Sequence, residues 1–88
     1  MAKIAVLGAG SWGIAVSILI NQNGHDVVLW EFFENDCRTI QKLREHPDKL
    51  PGIKIPEAIA ITNDAKKAVS SADAIVSVSY THLRAHET

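Results

Sequence analysis

Ile4-Ala5-Val6-Leu7-Gly8-Ala9-Gly10-Ser11-Trp12-Gly13-Ile14-Ala15-Val16 is an apolar run, a glycine cluster spaced G-x-G-x-x-G, and a second apolar run. That spacing acquires a mechanical meaning only where a strand runs through a tight turn into a helix, and the two apolar flanks supply that setting. Gly8 lets the chain reverse. Gly10, having no Cβ, lets a pyrophosphate approach the backbone, and Gly13 lets the helix lie close on the first strand. The N–H groups of Ser11 and Trp12 and the positive end of the helix dipole then face the phosphates. The chain is therefore predicted to open with a dinucleotide-binding βαβ unit.

Working outward, Lys3–Leu7 has the near-continuous apolar character of a central parallel strand covered on both faces. Ser11–Asn23 is predicted helical, with Gly24 supplying the left-handed position that closes it. Almost every residue from Trp12 to Ile20 is apolar, which predicts cover on more than one side of this helix. Asp26–Trp30 reads as a second strand. Asn35 or Asp36 is suited to cap a helix from Cys37 to about His46, with Cys37, Ile40 and Leu43 along its buried stripe and Pro47 stopping it. Asp48 to Pro56 carries a Pro51-Gly52 turn signal and reads as an ordered loop. Ala58–Thr62 is a short third strand. Asn63 or Asp64 caps a helix bearing Ala65, Ala68, Val69 and Ala72 at i, i+3, i+4 and i+7, ended by Asp73. Ala74–Val78 begins a fourth strand. Alternation of this kind predicts a parallel sheet with right-handed crossovers: a partial, Rossmann-type three-layer α/β domain in the order β-α-β-α-β-α-β.

Eighty-eight residues allow at most one small domain, of marginal stability alone. A composition 47% apolar and 22% charged is that of a globular chain rather than a disordered one. The net charge of −1 gives no electrostatic case for nucleic acid or an anionic membrane. Cys37 is the only cysteine, so no intrachain disulfide or thiolate metal cluster is expected, and a reducing cytoplasm fits. Met1-Ala2-Lys3 leads straight into a strand without a signal peptide, and the run Ile14–Ile20 is too short to span a bilayer.

Several pieces together resemble the NAD(P)-dependent glycerol-3-phosphate dehydrogenases. Ser11-Trp12 makes the fingerprint G-x-G-S-W-G. Asn23-Gly24-His25-Asp26-Val27 followed by Leu29-Trp30 is similar to the family's second strand and its approach. Leu50-Pro51-Gly52-Ile53-Lys54-Ile55-Pro56 is similar to its leucine-proline-glycine loop. Ile61-Thr62-Asn63-Asp64 and Ser71-Ala72-Asp73-Ala74-Ile75-Val76 are similar to its next strand, helix and strand start. The resemblance implies hydride transfer between a nicotinamide ring and dihydroxyacetone phosphate, giving sn-glycerol 3-phosphate. It also implies a helical substrate domain carrying the catalytic lysine, which this chain lacks. The chain corresponds to roughly the first quarter of such an enzyme and is expected to be inactive by itself. The implied partners are the dinucleotide and, for the full-length protein, a small phosphorylated substrate and a second copy as a homodimer. From about Ser77 the sequence leaves the family's pattern. Residues 1–78 are therefore read as part of a dinucleotide domain, and 79–88 as a non-native tail resembling sequencing-adapter read-through. Rival readings are a hydroxyacid, UDP-sugar or ketopantoate type of dehydrogenase, against which Trp12 and the Leu50-Pro51-Gly52 loop argue, and a stand-alone nucleotide-binding module.

The candidate cofactor residues are Gly8, Ala9, Gly10, Ser11, Trp12, Gly13, Glu31 and Phe32. Glu31 falls at the end of the second strand, about twenty residues beyond the glycines, where an acid accepts hydrogen bonds from the adenosine ribose. It also disfavours a 2′-phosphate, since unit charges ~4 Å apart repel by roughly 1–4 kcal/mol between water and surface dielectrics. The competing reading is an ordinary exposed charge. Bacterial members of the family often carry a small residue and then arginine or histidine here, which suits NADP. Other members carry phenylalanine at the position of Phe32, lining the adenine pocket. The expectation is NAD over NADP. Trp12 is placed near the cofactor, with a core or interface position as the alternative, and Phe33 is read as core. Cys37 reads as a small apolar group without reactivity. His25 reads as a surface turn residue, His46 as a helix-end charge partner, and Lys42, Arg44, Lys66 and Lys67 as solvated charges. His82 and His86 stand at i, i+4 but lack a third ligand, so no metal is expected.

Overall fold

A computed structural model of the chain describes residues 1–78. It contains β1 (Lys3–Leu7), α1 (Ser11–Gln22), β2 (Asp26–Trp30), α2 (Glu34–Leu43), β3 (Ala60–Thr62), α3 (Ala65–Val69) and β4 (Ala74–Ser77). The sheet order is β3-β2-β1-β4 and every pairing is parallel. From β1 the chain moves outward through β2 to β3. It then crosses back over the sheet to place β4 on the free side of β1. With right-handed crossovers, that reversal sends α3 to the face opposite α1 and α2. This is the three-layer Rossmann-type arrangement.

Strand alternation divides the core unequally. Val6, Leu29 and Ile61 are in register on adjacent strands and pack with Ile14 of α1, Cys37 and Ile40 of α2, and Ile55 and Ile59 of the long loop. Ala5, one residue earlier and so on the opposite face, is fully buried, and α3 contributes only Ala68 to the buried set. Ser17 is a polar residue inside α1 that is completely buried. Its hydroxyl donates to the Gly13 carbonyl at 2.7 Å, so the small side chain is satisfied within its own helix.

Several boundaries differ from those predicted. α2 begins at Glu34, three residues before the predicted Cys37, with Phe33 at its N-cap and no side-chain cap. Asn35 and Asp36 therefore lie inside its first turn. Its end is set by Arg44 in the left-handed conformation, φ 54°, before Pro47 is reached. Cys37 and Ile40 are buried as the stripe predicts, whereas Leu43 is exposed. β3 is shorter than Ala58–Thr62, because Ile59 is already committed to a turn with its N–H on the Pro56 carbonyl. α3 ends at Val69, before Ala72 and Asp73. Asp73 instead accepts the Lys3 N–H at 2.8 Å, tying the start of β1 to the approach to β4. α1 is covered on one side only: Gly13, Ile14 and Ser17 are buried, while Trp12 and Leu19 are exposed.

Asp64 rather than Asn63 caps α3, its carboxylate accepting the Lys67 N–H at 3.1 Å. In a helix this short the cap is a large share of the local hydrogen bonding. Asp64→Ala is expected to cost about 1 kcal/mol. In a domain of this size that is a fall of about 4–8 °C in Tm, read by circular dichroism.

Candidate functional site

The site lies where the strand order reverses. The loop after β1 leads away toward β2, whereas the chain entering β4 comes from the opposite side, so a crevice opens between the carboxyl ends of these strands. Gly8 is pinned there by two bonds across the sheet: its own N–H reaches the Trp30 carbonyl at 3.0 Å, and the Val78 N–H reaches the Leu7 carbonyl at 2.9 Å. Its φ is +120°, and a Cβ added to it would stand 2.2 Å from the Val78 carbonyl oxygen. Conformation and space therefore both require glycine. Gly13 has a different constraint. A Cβ there would fall 1.6 Å from the Gly8 carbonyl oxygen, so its bare α-carbon is what allows α1 to sit on the turn.

Gly10 is the N-cap of α1 and offers no side chain to the helix. The first intrahelical bond is from the Ile14 N–H to the Gly10 carbonyl. Among the described residues, nothing accepts from the N–H groups of Ser11, Trp12 or Gly13. The first turn of α1 contains no acidic side chain either. Aligned donors without acceptors at the positive end of a helix make an anion cradle.

The crevice at this point has a volume of about 370 Å³, within the range of small-molecule sites. One wall is the glycine turn, Gly8, Ala9, Gly10 and Ser11, with Trp12 above it. The other is Glu31, Phe32 and Phe33, and Asp36 and Lys49 also line the crevice. Of the residues expected in the site, all but Gly13 line this crevice; Gly13 is buried beneath it. Trp12 is 73% exposed, which sets aside the core alternative. Phe33, expected in the core, is 59% exposed and lines the crevice instead. Its backbone caps α2, so its side chain projects beside Phe32, the rings meeting edge to face at 5.1 Å.

Glu31 is not a surface charge. It is 7% exposed, and its Oε2 accepts the Phe33 N–H at 2.9 Å. Its main chain is fixed on both sides, the N–H donating to the Thr62 carbonyl and the carbonyl accepting from Asn63 Nδ2. Asn63 Nδ2 also reaches the Phe32 carbonyl, and the Asn63 carbonyl accepts from Trp30 Nε1. Asn63, read from sequence as a helix cap, is thus the clamp that holds the Glu31-Phe32 wall. Nothing local in the sequence signalled it, because its partners lie some thirty residues away.

Cys37 is buried behind this wall. Burial pushes its thiol above the ordinary range, and the Glu31 and Glu34 carboxylates push it further, in keeping with an unreactive group. The loop after α2 is also more tightly built than a solvated stretch. The Arg44 guanidinium donates to the carbonyls of Ile55, Pro56 and Ile59, so it is a structural clamp rather than a free charge. Glu45 accepts the Gly52 N–H at 2.9 Å and pairs with Lys54 at 3.2 Å. The backbone bond first, and then Lys54, hold its carboxyl below the ordinary range. His46, expected as a helix-end charge partner, is buried, and its Nδ1 accepts the Lys49 N–H at 3.3 Å. His25 uses Nδ1 to accept the Ala2 N–H. Among the described residues there is no cluster of metal-ligating side chains, and no helix is long and apolar enough to cross a membrane. His82, His86 and the tail 79–88 lie outside the described residues.

A parallel sheet of order β3-β2-β1-β4 with a glycine-lined cradle at its switch point defines a Rossmann-type domain of the dinucleotide-binding class. Residues 3–86 match the family model described as NAD-dependent glycerol-3-phosphate dehydrogenase N-terminus, and the chain belongs to that family. It is 38% identical over 76 residues to glycerol-3-phosphate dehydrogenase [NAD(P)+] of Agathobacter rectalis, covering 86% of this chain and 23% of that one. It is 43% identical over 74 residues to the protein of the same name from Pelotomaculum thermopropionicum, covering 84% of this chain and 21% of that one. Among solved structures, glycerol-3-phosphate dehydrogenase of Coxiella burnetii superimposes with a TM-score of 0.80 at 29% identity, over 86% of this chain and 23% of that one. The chain thus spans about a quarter of the length of the curated relatives it matches. Family membership sets aside the hydroxyacid, UDP-sugar and ketopantoate alternatives.

Proposed function

We propose that the crevice between β1 and β4 holds NAD, and that this chain is the cofactor-binding part of a glycerol-3-phosphate dehydrogenase. The observation that carries the reading is the set of unpartnered N–H groups at Ser11, Trp12 and Gly13, beside a turn with no room for a Cβ at Gly8 or Gly13. These donors would take the diphosphate. Gly8, Ala9 and Gly10 would let it approach, Trp12 would cover it, and Glu31 would accept from the adenosine ribose hydroxyls. Phe32 and Phe33 offer apolar faces to adenine. The reading favours NAD over NADP, because Glu31 is buried and held by the Phe33 N–H and its carboxylate would meet a 2′-phosphate as a like charge.

Bound NAD supplies a nicotinamide carbon that accepts or gives up hydride. In the whole protein that hydride would pass to the ketone carbon of dihydroxyacetone phosphate, with a proton to its oxygen, giving sn-glycerol 3-phosphate. The groups that bind and protonate this substrate would belong to the remainder of the protein, as would any dimer contact. The 88 residues alone would therefore bind cofactor without turnover.

Titrating the 88-residue chain with NAD should produce saturable shifts of the Gly8–Gly13 amide resonances. No oxidation of NADH should follow when dihydroxyacetone phosphate is added. Amides that stay in place up to millimolar cofactor would overturn the assignment.

A further inference from the structure

The wall opposite the glycine turn is held from behind by a residue that is not part of it. β2 and β3 stay in register only as far as Trp30 and Thr62. Beyond them Glu31 and Phe32 leave the sheet and lead to Phe33, the N-cap of α2. The Glu31 N–H still reaches the Thr62 carbonyl at 2.9 Å. The Asn63 amide continues from there: its Nδ2 donates to the Glu31 carbonyl at 2.8 Å and to the Phe32 carbonyl at 2.7 Å. An amide –NH2 has two hydrogens, so one side chain serves both carbonyls; an ionised aspartate could serve neither and a serine only one. A return contact closes the link, Trp30 Nε1 donating to the Asn63 carbonyl at 3.0 Å.

The Asn63 side chain has no packing duty that would account for this amide. The residue is exposed, and the cap of α3 is its neighbour Asp64. Asn63 does not line the crevice, whereas Trp30, Glu31, Phe32 and Phe33 do. Packing does not fix the Phe32 ring either. It is 65% exposed and meets Trp30 and Phe33 edge to face, at 5.9 and 5.1 Å. Its place is therefore set by its main chain, whose carbonyl Asn63 holds. We infer that Asn63 is a positioning residue for the dinucleotide: it fixes the Glu31-Phe32 main chain, so that carboxylate and ring stand as a preset wall for the adenosine half. The inference rests on the reading of the crevice as a dinucleotide site. A segment already held in its binding conformation has less freedom to lose when the ligand arrives.

The test compares Asn63→Ala, Asn63→Ser and Asn63→Asp with the wild-type 88-residue chain, each titrated with NAD, ADP and inorganic pyrophosphate. Asn63→Ala should weaken NAD and ADP by the same factor, about fivefold. Asn63→Ser keeps one donor and should recover part of that loss. Asn63→Asp keeps the shape but sets oxygens against the Glu31 and Phe32 carbonyls, so it should lose at least as much as Asn63→Ala. Pyrophosphate has no adenosine, and should shift the Ser11 and Trp12 amides at the same concentrations in every chain. Exchange of the Phe33 amide, now held by Glu31 Oε2, should quicken in Asn63→Ala. A wild type that binds NAD, with an unchanged Kd in Asn63→Ala and Asn63→Asp, would overturn the inference and leave the crevice reading standing. So would a loss for pyrophosphate equal to that for NAD, which would report a general loosening of the fold; the Tm of each variant checks this. If the wild-type chain takes up none of these ligands, the crevice reading falls and the inference falls with it.

Discussion

Gly13→Ala is expected to lower the melting temperature by about 15 °C and to abolish saturable NAD binding. The added methyl group would sit 1.6 Å from the Gly8 carbonyl oxygen and 2.8 Å from the carbonyl carbon. Both atoms are backbone, so no rotamer change relieves the clash. Gly8 cannot yield easily, since the Val78 carbonyl already closes the space on its far side. The helix must therefore move away from β1. Ile14 and Ser17, both fully buried, would leave their places with it. Overpacking of this kind costs about 1–3 kcal/mol, occasionally more. A loss of ~3 kcal/mol in a chain of this size shifts Tm by about 12–24 °C. Total stability at typical per-residue values is only ~4–13 kcal/mol, so the loss is a large share of it. Displacing α1 also withdraws the Ser11 and Trp12 N–H groups from the crevice. Gly24→Ala is the control: a Cβ there meets nothing within 4 Å, so only the strain of φ +91° remains. That substitution should leave NAD binding intact. A Gly13→Ala chain that melts with the wild type would mean that α1 does not pack on the turn as described.

The glycine turn was legible because its constraints are local. Strand, reversal and helix start occupy consecutive residues, and the pattern names the atoms that come close. The parallel sheet was legible for a similar reason, since alternation of apolar runs with helical segments leaves few topologies once crossovers are right-handed. What the sequence hid depends on distant partners or on backbone caps. α2 starts at Glu34 because the Phe33 carbonyl accepts the first helical bond from Cys37 without any side-chain cap. The acids Glu34 and Asp36 in its first turn were the available signal, and Asn35 was a decoy. Phe33 looks like core by composition and becomes part of the crevice because α2 begins immediately after it. Arg44 and His46 look like surface residues, yet each is committed to carbonyls or an amide within the loop that follows.

The outer face of α1 marks a different limit. Its apolar residues predicted cover on more than one side, and the chain itself covers one. Trp12 and Leu19 remain exposed on the helix, as does Ile75 on β4. Among the described residues, β4 has a strand on one side only. The curated relatives are about four times longer than this chain. Periodicity reports which faces are apolar, and it carries no information about which element covers them.

Under the proposed reading of the crevice, Glu31→Gln is expected to narrow the preference for NAD over NADP by at least about tenfold, through tighter NADP binding together with a smaller loss of NAD affinity. The substitution removes charge and keeps shape. The Phe33 N–H, now held by Glu31 Oε2 at 2.9 Å, can donate equally to a glutamine carbonyl, and the Thr62 and Asn63 contacts are to main chain. The wall therefore stays where it is. If Glu31 meets the ribose as proposed, the hydroxyls would keep an amide as partner in place of a carboxylate, so NAD affinity should fall only a few-fold. For NADP the change is larger. A 2′-phosphate near a buried carboxylate meets a like charge at close range, and repulsion between unit charges ~4 Å apart is about 1–4 kcal/mol depending on the effective dielectric. Glu31 is 7% exposed, which weakens solvent screening and favours the upper part of that range. Each ~1.4 kcal/mol is tenfold in Kd. Asp36 also faces the crevice and is retained in the variant, so discrimination should shrink without reversing. Parallel titrations of both dinucleotides at fixed ionic strength measure the ratio. An unchanged ratio would remove Glu31 as the discriminating charge and turn attention to Asp36. A wild-type chain that already prefers NADP would reverse the reading of the Glu31-Phe32 wall.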